Sequence, residues 1–331
     1  MAGRRSLNPR IRQALRLVRE VGVFPLASLR ARRILRAYHA HYERARAAFP
    51  LSTMTPVFRC LQDVRVRVLP PGHSVGGLCS PDLSPVVRRL REDVAAALER
   101  TTNCLMFPKP SDGAMPERTR DVPAVAERRV IALQLRDPLR LRGLNELSAR
   151  LVSELERSVY GAPLIIDKVY VYRNLLSRIE GQVSWTWHYD NHPHEILKIM
   201  IYLTDVDEAN GPFEYLRRRH DGEAVLMRAR PLCGYGRMPL AEVARRIACE
   251  DEGHRVTGPS GTVILFDNNV LHKANIPSVG YRDVVVLQIR PVHFTPRGPI
   301  DRAWTGSFQH VDFNPNPYDY RPRLKPRMLS G

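Results

Sequence analysis

After Tyr160 the chain consists of short runs of β-forming residues, and this succession limits the fold more than any other feature. Within the run from Ile196 to Thr204, apolar side chains alternate with a mixed set that includes Lys198 and Tyr202. Because successive side chains of a strand point to opposite faces, one face of this strand is apolar and the other is mixed. Such a strand suits two sheets that enclose a pocket, so we predict a double-sheet β-barrel. The predicted strands are Lys168–Arg173, Val183–Tyr189, Ile196–Thr204, Pro212–Leu216, Gly261–Phe266 and Arg282–Arg290.

The half of the chain before Tyr160 predicts helices instead. Apolar residues recur at three- and four-residue spacing over Ser84–Arg100 and Leu144–Tyr160. Between these helices, Phe107–Pro123 contains four prolines and predicts a long surface loop. We therefore expect an α+β chain with helices before and beside the β-barrel. Its parts are a basic helical N-terminal extension (1–60), a main domain (61–295, with the β-barrel core at about 161–295) and a Pro/Arg-rich C-terminal tail (296–331).

Positive charge is concentrated at the N-terminus. The net charge of the chain is +17, and residues 1–50 contain twelve arginines against two glutamates, a net charge of +10. Apolar residues recur at helical spacing around Leu15 and around Tyr38, each time beside arginines, which predicts two basic amphipathic helices. These helices are compatible with packing on the main domain, with an anionic membrane surface, and with attraction of nucleic acid or a phosphorylated substrate. Charge alone does not choose among these roles.

The cysteines and the hydrophobic runs indicate the compartment. Five widely spaced cysteines without a C-x-x-C pair argue against a disulfide framework and against a zinc site. No apolar run approaches the roughly 18 residues of a membrane span, and charged residues interrupt the N-terminal segment where a secretion signal needs an apolar stretch. We expect a cytoplasmic protein, with peripheral contact to an anionic membrane left open and an organelle transit peptide as the alternative for the Arg-rich beginning.

The segment Trp185-Thr186-Trp187-His188-Tyr189-Asp190 carries the first candidate metal ligands. On a strand, His188 and Asp190 lie on one face, and the tryptophans lie on the other. An imidazole and a carboxylate two residues apart take adjacent coordination positions, and His272, from a distant strand, is the candidate for the third ligand. Two histidines and one carboxylate hold one face of an octahedral metal and leave the other positions open, as iron(II) oxygenases require, whereas a structural zinc site is closed.

The turn Ile276–Gly280 reverses the chain between His272 and Arg282. If the turn centres near Ser278, Arg282 lies about three residues of strand rise from His272, roughly 10 Å. A five-carbon diacid spans that gap when one end chelates the metal through a carboxylate and a keto oxygen and the other end pairs with the guanidinium. We therefore predict that Arg282 binds 2-oxoglutarate.

Other polar residues near these motifs allow more than one interpretation. His192 and His194 continue the strand parity after Asp190, as in a cupin-type metal cluster, but Pro193 is expected to end the strand. We expect Arg290 to be structural rather than a second co-substrate clamp. Five residues on two predicted strands suit the lining of a pocket, although packing explains the tyrosines equally well: Lys168, Tyr170, Tyr172, Lys198 and Tyr202.

Taken as a set, these motifs resemble the phytanoyl-CoA dioxygenase family. The resemblance covers roughly residues 165–292. Its motifs are H-x-D at His188 to Asp190, the run Tyr202-Leu203-Thr204-Asp205 leading to Asn210-Gly211-Pro212, and the spacing from His272 to Arg282. The sequence departs from the family at Arg218-Arg219-His220, where Gly-Ser-His is usual, so no role is carried over to His220.

This resemblance implies a double-stranded β-helix, a jelly-roll or cupin-like barrel, that uses Fe(II), 2-oxoglutarate and O2. It also implies hydroxylation of a substrate while 2-oxoglutarate is converted to succinate and CO2. Similar halogenases have a small residue in place of Asp190, so halogenation is not implied.

The expected function is hydroxylation of an unactivated C–H bond in a small or lipid-linked acidic metabolite, because a basic protein suits an acidic partner. Nucleic acid is not the expected partner. The alternative is a catalytically inactive β-barrel whose basic N-terminus binds anionic lipid or nucleic acid. The intact set His188, Asp190, His272 and Arg282 argues against such a loss of catalysis.

Overall fold

The structure is a computed structural model, and it describes residues 25–75, 78–79, 82–110, 115–179, 183–188, 190, 192–216, 253–268 and 270–309. In these residues a large antiparallel sheet faces a small one, and helices pack on the other side of the large sheet. The predicted α+β class with a double-stranded β-helix is confirmed. Within the described residues the two sheets form an open jelly-roll and do not join into one closed barrel.

Twelve strands form the sheets of the described chain. The large sheet contains β1 (Val66–Leu69), β4 (Cys104–Phe107), β5 (Ala132–Leu135), β6 (Leu164–Leu175), β7 (Leu197–Tyr202), β10 (Val263–Asp267) and β12 (Tyr281–Pro291). Their order is β1-β10-β7-β12-β6-β5-β4, and all neighbours are antiparallel. The small sheet contains β8 (Phe213–Tyr215), β9 (His254–Val256) and β11 (His272–Ala274), in the order β11-β8-β9. A separate hairpin pairs β2 (Ser74–Val75) with β3 (Leu78–Cys79).

The two faces of the large sheet differ as the alternation in β7 predicts. Ile199 and Ile201 belong to the main apolar core with the helices, whereas Met200 and Tyr202 belong to a second cluster with residues of the small sheet. Lys198 shares the face of Met200 by strand parity. The space between the sheets is therefore lined by apolar and polar side chains together.

The helices of the described chain cover the outer face and the ends of the large sheet. They are α1 (Pro25–Ala48), α2 (Pro56–Val64), α3 (Ser84–Leu98), α4 (Pro123–Ala126), α5 (Gly143–Leu155, continued by the π-helical turn Glu156–Tyr160) and α6 (Arg302–Phe308). Short 3-10 helices occupy Leu51–Thr53, Thr101–Asn103, Thr119–Asp121, Pro138–Arg140 and Val183–Trp185. Helix α2 begins where Thr55 Oγ1 accepts a hydrogen bond from Phe58 N (3.2 Å), beside Pro56 at the first helical position. The predicted helices at Ser84–Arg100 and Leu144–Tyr160 correspond to α3 and to α5 with its π-helical turn.

Helix α1 is the second of the two predicted basic helices, and its apolar face is anchored to the protein. The hydroxyls of Tyr38 and Tyr42, both buried, donate to the carboxylates of Asp167 (2.5 Å) and Glu195 (2.7 Å). Arg33, Arg36 and Arg44 are exposed. The first predicted basic helix, around Leu15, lies outside the described residues.

The observed secondary structure differs from the predicted one in two details. The predicted strand Val183–Tyr189 is not formed over its described residues, because Val183–Trp185 is a 3-10 helix and the residues after it make isolated bridges, such as that of His188 with His272 of β11. The half of the chain predicted as helical also contributes β1, β4 and β5 to the large sheet, since four residues show too little alternation to be recognised. No helix in the described part of the chain is long and apolar enough to span a membrane.

Candidate metal and co-substrate site

The three predicted metal ligands meet in one cluster. One ligand atom from each of His188, Asp190 and His272 lies within 4.8 Å of the other two. His188 Nε2 is 3.8 Å from Asp190 Oδ1, and His272 Nε2 is 3.7 Å from Asp190 Oδ2. All three atoms are therefore within reach of one metal ion. Among the described residues this is the only such group of histidine, cysteine and acidic side chains.

A short backbone bridge brings the two imidazoles together. The N–H of His188 donates to the carbonyl of His272 (3.0 Å), the reverse bond measures 2.9 Å, and the ring centroids lie 4.3 Å apart. The N–H of Asp190 donates to the carbonyl of Asn268 (2.9 Å), which holds the next ligand in place. The H-x-D motif thus depends on a local bridge rather than on a long strand.

Backbone carbonyls also set the tautomers of both rings. Nδ1 of His188 lies 2.8 Å from the carbonyl of Thr186, and Nδ1 of His272 lies 2.8 Å from the carbonyl of Val270. Because a carbonyl oxygen only accepts hydrogen bonds, Nδ1 carries the hydrogen and Nε2 offers its lone pair. Metal-binding histidines are oriented by contacts of this kind.

The electrostatics favour the metal-binding protonation states. Burial, reinforced by the neighbouring His272, lowers the pKa of His188 to about 3, and burial also lowers the pKa of His272. Burial opposes ionisation of Asp190, but the Lys198 ammonium, with Nζ 2.6 Å from Oδ2, and the two imidazoles hold the pKa of Asp190 well below its usual range. At neutral pH the cluster therefore offers two neutral imidazoles and one carboxylate, the forms that bind a metal.

Arg282 is fully buried in β12, opposite Asn174 of β6. With its amide oxygen turned toward the guanidinium, Asn174 accepts hydrogen bonds from Arg282 Nη2 and from Nε (3.2 Å). The remaining nitrogen, Nη1, is buried and has no hydrogen-bond partner among the described residues. An unpaired donor in a buried place is costly, and a carboxylate would satisfy it.

Tyr172 of β6 pairs with Val284, two residues after Arg282 in β12. Burial raises the pKa of its hydroxyl, and the charges of both Arg282 and Asp190 act on it, the first lowering the pKa and the second raising it. Arg282 shares the strand parity of Val284 and Val286, which lie on the face of the large sheet toward the small sheet. The connection between the metal ligands and Arg282 differs from the predicted hairpin, because β11 belongs to the small sheet and β12 to the large one, so the turn after His272 crosses from one sheet to the other.

The Asn210-Gly211-Pro212 segment fixes this crossing turn. Asn275 Nδ2 donates to the carbonyl of Pro212 (2.9 Å), Asn210 Nδ2 donates to the carbonyl of Val279 (3.2 Å), and Ser278 N donates to the carbonyl of Ala209 (2.8 Å). Gly211 has a φ of +75°, and a Cβ there would lie 2.5 Å from the carbonyl oxygen of Asn275. The glycine is required because the two backbones touch.

Other residues singled out in the sequence have different surroundings. His192 and His194 do not join the metal cluster, and His194 Nδ1 lies 3.6 Å from Asp267 Oδ2. Arg290 is fully buried, and its Nε donates to Asp167 Oδ1 (2.9 Å), in agreement with a structural role. Sequence reasoning missed Asn174, and only the register between β6 and β12 identifies it as the partner of Arg282.

Comparison with known proteins is consistent with this arrangement. The family model described as phytanoyl-CoA dioxygenase (PhyH) matches residues 87–276, more than half of the chain. The chain belongs to this family. It is a 2-oxoglutarate-dependent oxygenase, and the cofactors of its class are iron and 2-oxoglutarate, with O2 as the oxidant.

Individual relatives are more distant than the family match. L-proline trans-4-hydroxylase of Streptomyces griseoviridis is 29% identical over 183 residues, which cover 47% of this chain and 67% of that protein. Two solved structures are similar in part. HygX from Streptomyces hygroscopicus with nickel, 2-oxoglutarate and hygromycin B is 14% identical with a TM-score of 0.45, over 72% of this chain and 88% of that chain. The epimerase SnoN with Fe3+, alpha ketoglutarate and nogalamycin RO is 13% identical with a TM-score of 0.48, over 71% and 82%.

Proposed function

We propose that His188, Asp190 and His272 bind Fe(II), that Arg282 binds the distal carboxylate of 2-oxoglutarate, and that the enzyme hydroxylates an unactivated C–H bond of a small acidic metabolite. The co-substrate would leave as succinate and CO2. The observation that carries this proposal is the convergence of two Nε2 atoms and one carboxylate within 4.8 Å.

The three side chains fit iron in number, charge and protonation. Two neutral imidazoles and one ionised carboxylate form the facial set typical of non-haem iron(II) oxygenases, which leaves open positions for other ligands. When bound there, iron activates O2 for attack on a C–H bond. The chain's own part is to hold the ligands, and it does so through the carbonyls of Thr186 and Val270 behind the rings.

Arg282 fits the co-substrate for a separate reason. Its Nη1 is the buried donor that lacks an acceptor, and Asn174 already holds the other side of the guanidinium. A carboxylate on Nη1 would be held by a charge-assisted bond away from water, where such bonds are strong. Asp190 supports hydroxylation over halogenation, because its carboxylate takes the position that a halide would need.

The charge of the chain and one relative bear on the nature of the primary substrate. The excess of basic residues favours an acid. A relative that is an L-proline trans-4-hydroxylase favours a small one, and a lipid-linked acid is the second form of the proposal. The inactive lipid- or nucleic-acid-binding alternative has less support, because all four site residues are in place and α1 turns its tyrosine face inward.

Anaerobic absorption spectroscopy tests the site directly. Fe(II) and 2-oxoglutarate are added without oxygen, and the visible charge-transfer band of the chelate is recorded for wild type, Asp190→Ala, Arg282→Ala and the exposed control Lys109→Ala. We expect the band in wild type and control, its loss in Asp190→Ala, and a far higher 2-oxoglutarate requirement in Arg282→Ala. Absence of the band from iron-loaded wild type would refute the proposal.

A further inference from the structure

Three long polar side chains form a row on the face of the large sheet that lies toward the small sheet, which we call the site floor. Gln288 in β12 is paired with Lys198 of β7 on one side and with Lys168 of β6 on the other. Directly paired residues of antiparallel strands share a face, so the three side chains lie on the face that lines the site. We call Lys198, Gln288 and Lys168 the lysine row.

Burial makes this row unusual. Lys168 is 6% exposed and Gln288 is 2% exposed, although lysine is rarely buried in proteins. The chain contains only five lysines against 46 arginines, so its surface charge is carried by arginine. Two of those five lysines nevertheless flank Gln288 on one face of the large sheet. A compact ammonium with rotatable donors is suited to a small anion that must be positioned and released.

The lysine row and Arg282 lie at opposite ends of the floor. Gln288 lies six positions after Arg282 in β12, roughly 20 Å of strand rise. The next pairs along the strands after the lysine row, Met200 with Val286 and Val286 with Tyr170, are mostly apolar. This face of the large sheet thus has an anion-binding group at Arg282 for the co-substrate, a second cationic region at the two lysines, and apolar side chains next to the lysines.

The distance to the metal ligands limits the size of what binds there. Lys198 Nζ is 2.6 Å from Asp190 Oδ2, so the lysine row begins at the metal cluster itself. An anionic group held at the Lys198 end of the row therefore lies only a few bonds from a carbon that faces the metal. A long linker between the acid and the reacting carbon would have no place in this arrangement.

From these observations we infer that the lysine row binds the carboxylate of the primary substrate, and that the substrate is a small free carboxylic acid whose apolar part lies over Met200 and Val286. This inference rests on the proposed function and deepens it. Lys168 is the decisive residue, because Gln288 separates its strand from Lys198, the lysine that is bonded to Asp190.

The test uses equilibrium binding rather than turnover alone. The anaerobic Fe(II)·2-oxoglutarate complex is titrated with small amino, hydroxy and aliphatic acids, beginning with L-proline, each paired with its uncharged primary amide and accompanied by phosphate esters of similar size. Perturbation of the visible band gives the dissociation constant. The proteins are wild type, Lys168→Met, Lys168→Arg and the exposed control Lys109→Met. Acids that perturb the band are then checked for stimulated succinate release.

We expect at least one acid to bind and its amide to fail. Lys168→Met should weaken that acid about 10- to 100-fold, the loss of one charge-assisted hydrogen bond. It should leave the 2-oxoglutarate titration unchanged, and Lys168→Arg should retain most of the affinity. Equal binding of acid and amide, preference for a phosphate ester, no binding by any small acid, or an unaffected Lys168→Met would overturn the inference. Failure of the band to form at all would instead refute the proposed metal and co-substrate site, and with it this inference.

Discussion

Replacement of Tyr202 by phenylalanine tests whether one buried hydroxyl joins the two sheets. In β7 this hydroxyl donates to the carbonyl of Val256 (2.7 Å) and accepts from Phe213 N (3.1 Å), both in the small sheet. Phenylalanine keeps the ring and removes both bonds, which leaves one carbonyl and one N–H buried without that partner. Each such group costs about 1–3 kcal/mol. Val256 ends β9 and Phe213 begins β8, so both backbone groups can shift toward other partners. We therefore expect the free energy of unfolding to fall by about 2–4 kcal/mol, the lower part of the range for two groups.

Urea unfolding of the metal-free protein, followed by circular dichroism, measures this change from the midpoint and the slope. The matched control is Tyr172→Phe. Tyr172 and Tyr202 both pair with Val284, from opposite sides, and the Tyr202 hydroxyl bonds to Val256 and Phe213 of the small sheet. The control should lose less than about 1 kcal/mol. A loss below about 1 kcal/mol for Tyr202→Phe, or equal losses for both variants, would refute the reasoning.

Three further predictions follow from the site. Gly211→Ala should lose at least about 2 kcal/mol of unfolding free energy, because its Cβ would clash with the Asn275 carbonyl oxygen. The control Gly72→Ala has a similar φ of +73° but no atom near the added Cβ, so it should lose about 1 kcal/mol. Similar urea midpoints for the two variants would contradict the clash. Arg282→Lys keeps the charge but not the planar fork, so the dissociation constant of 2-oxoglutarate, titrated by the visible band, should rise about tenfold, and an unchanged constant would argue against a bidentate contact. In the metal-free protein, kept so with EDTA, burial lowers the pKa of His188 to about 3. Between about pH 6.5 and pH 3 the unfolded state therefore binds a proton that the folded state does not, and the free energy of unfolding decreases as the pH is lowered. His188→Gln should remove about 1.5 kcal/mol of that fall between pH 6.5 and pH 5, and an unchanged slope in urea unfolding at several pH values would contradict it.

The packing of α1 on the rest of the protein shows which contacts the sequence does not predict. The helix itself and its apolar side follow from the spacing of Tyr38 and Tyr42. That both hydroxyls bind buried carboxylates, at Asp167 and Glu195, depends on residues more than 100 positions away in the chain. Helical periodicity predicts which face is buried, but it carries no information about the polar groups that this face meets.

The metal ligands could be predicted from the sequence because the residue types that bind a metal are recognisable even where they lie far apart in the chain. An imidazole and a carboxylate separated by one residue, a later histidine, and an arginine ten residues beyond it are a rare combination, and its parts keep their meaning without coordinates. The long strand predicted at Val183–Tyr189 was wrong, since a 3-10 helix at Val183–Trp185 takes its first three residues. The pairing of the ligands survived because one bridge to His272 supplies the alignment that the strand was expected to supply.

The sequence by itself determined the class of the fold, the alternating faces of β7 and the residue types that can hold iron and a diacid, because side-chain periodicity and ligand chemistry are properties of the chain. Only the tertiary structure decided that the turn after His272 crosses between sheets, that Asn174 faces Arg282 and leaves Nη1 for a ligand, and that Lys198 and Lys168 flank Gln288 on the site floor. These relations depend on the order and register of strands that lie far apart in the chain. Register is set by the packing of whole sheets, so no single segment encodes it.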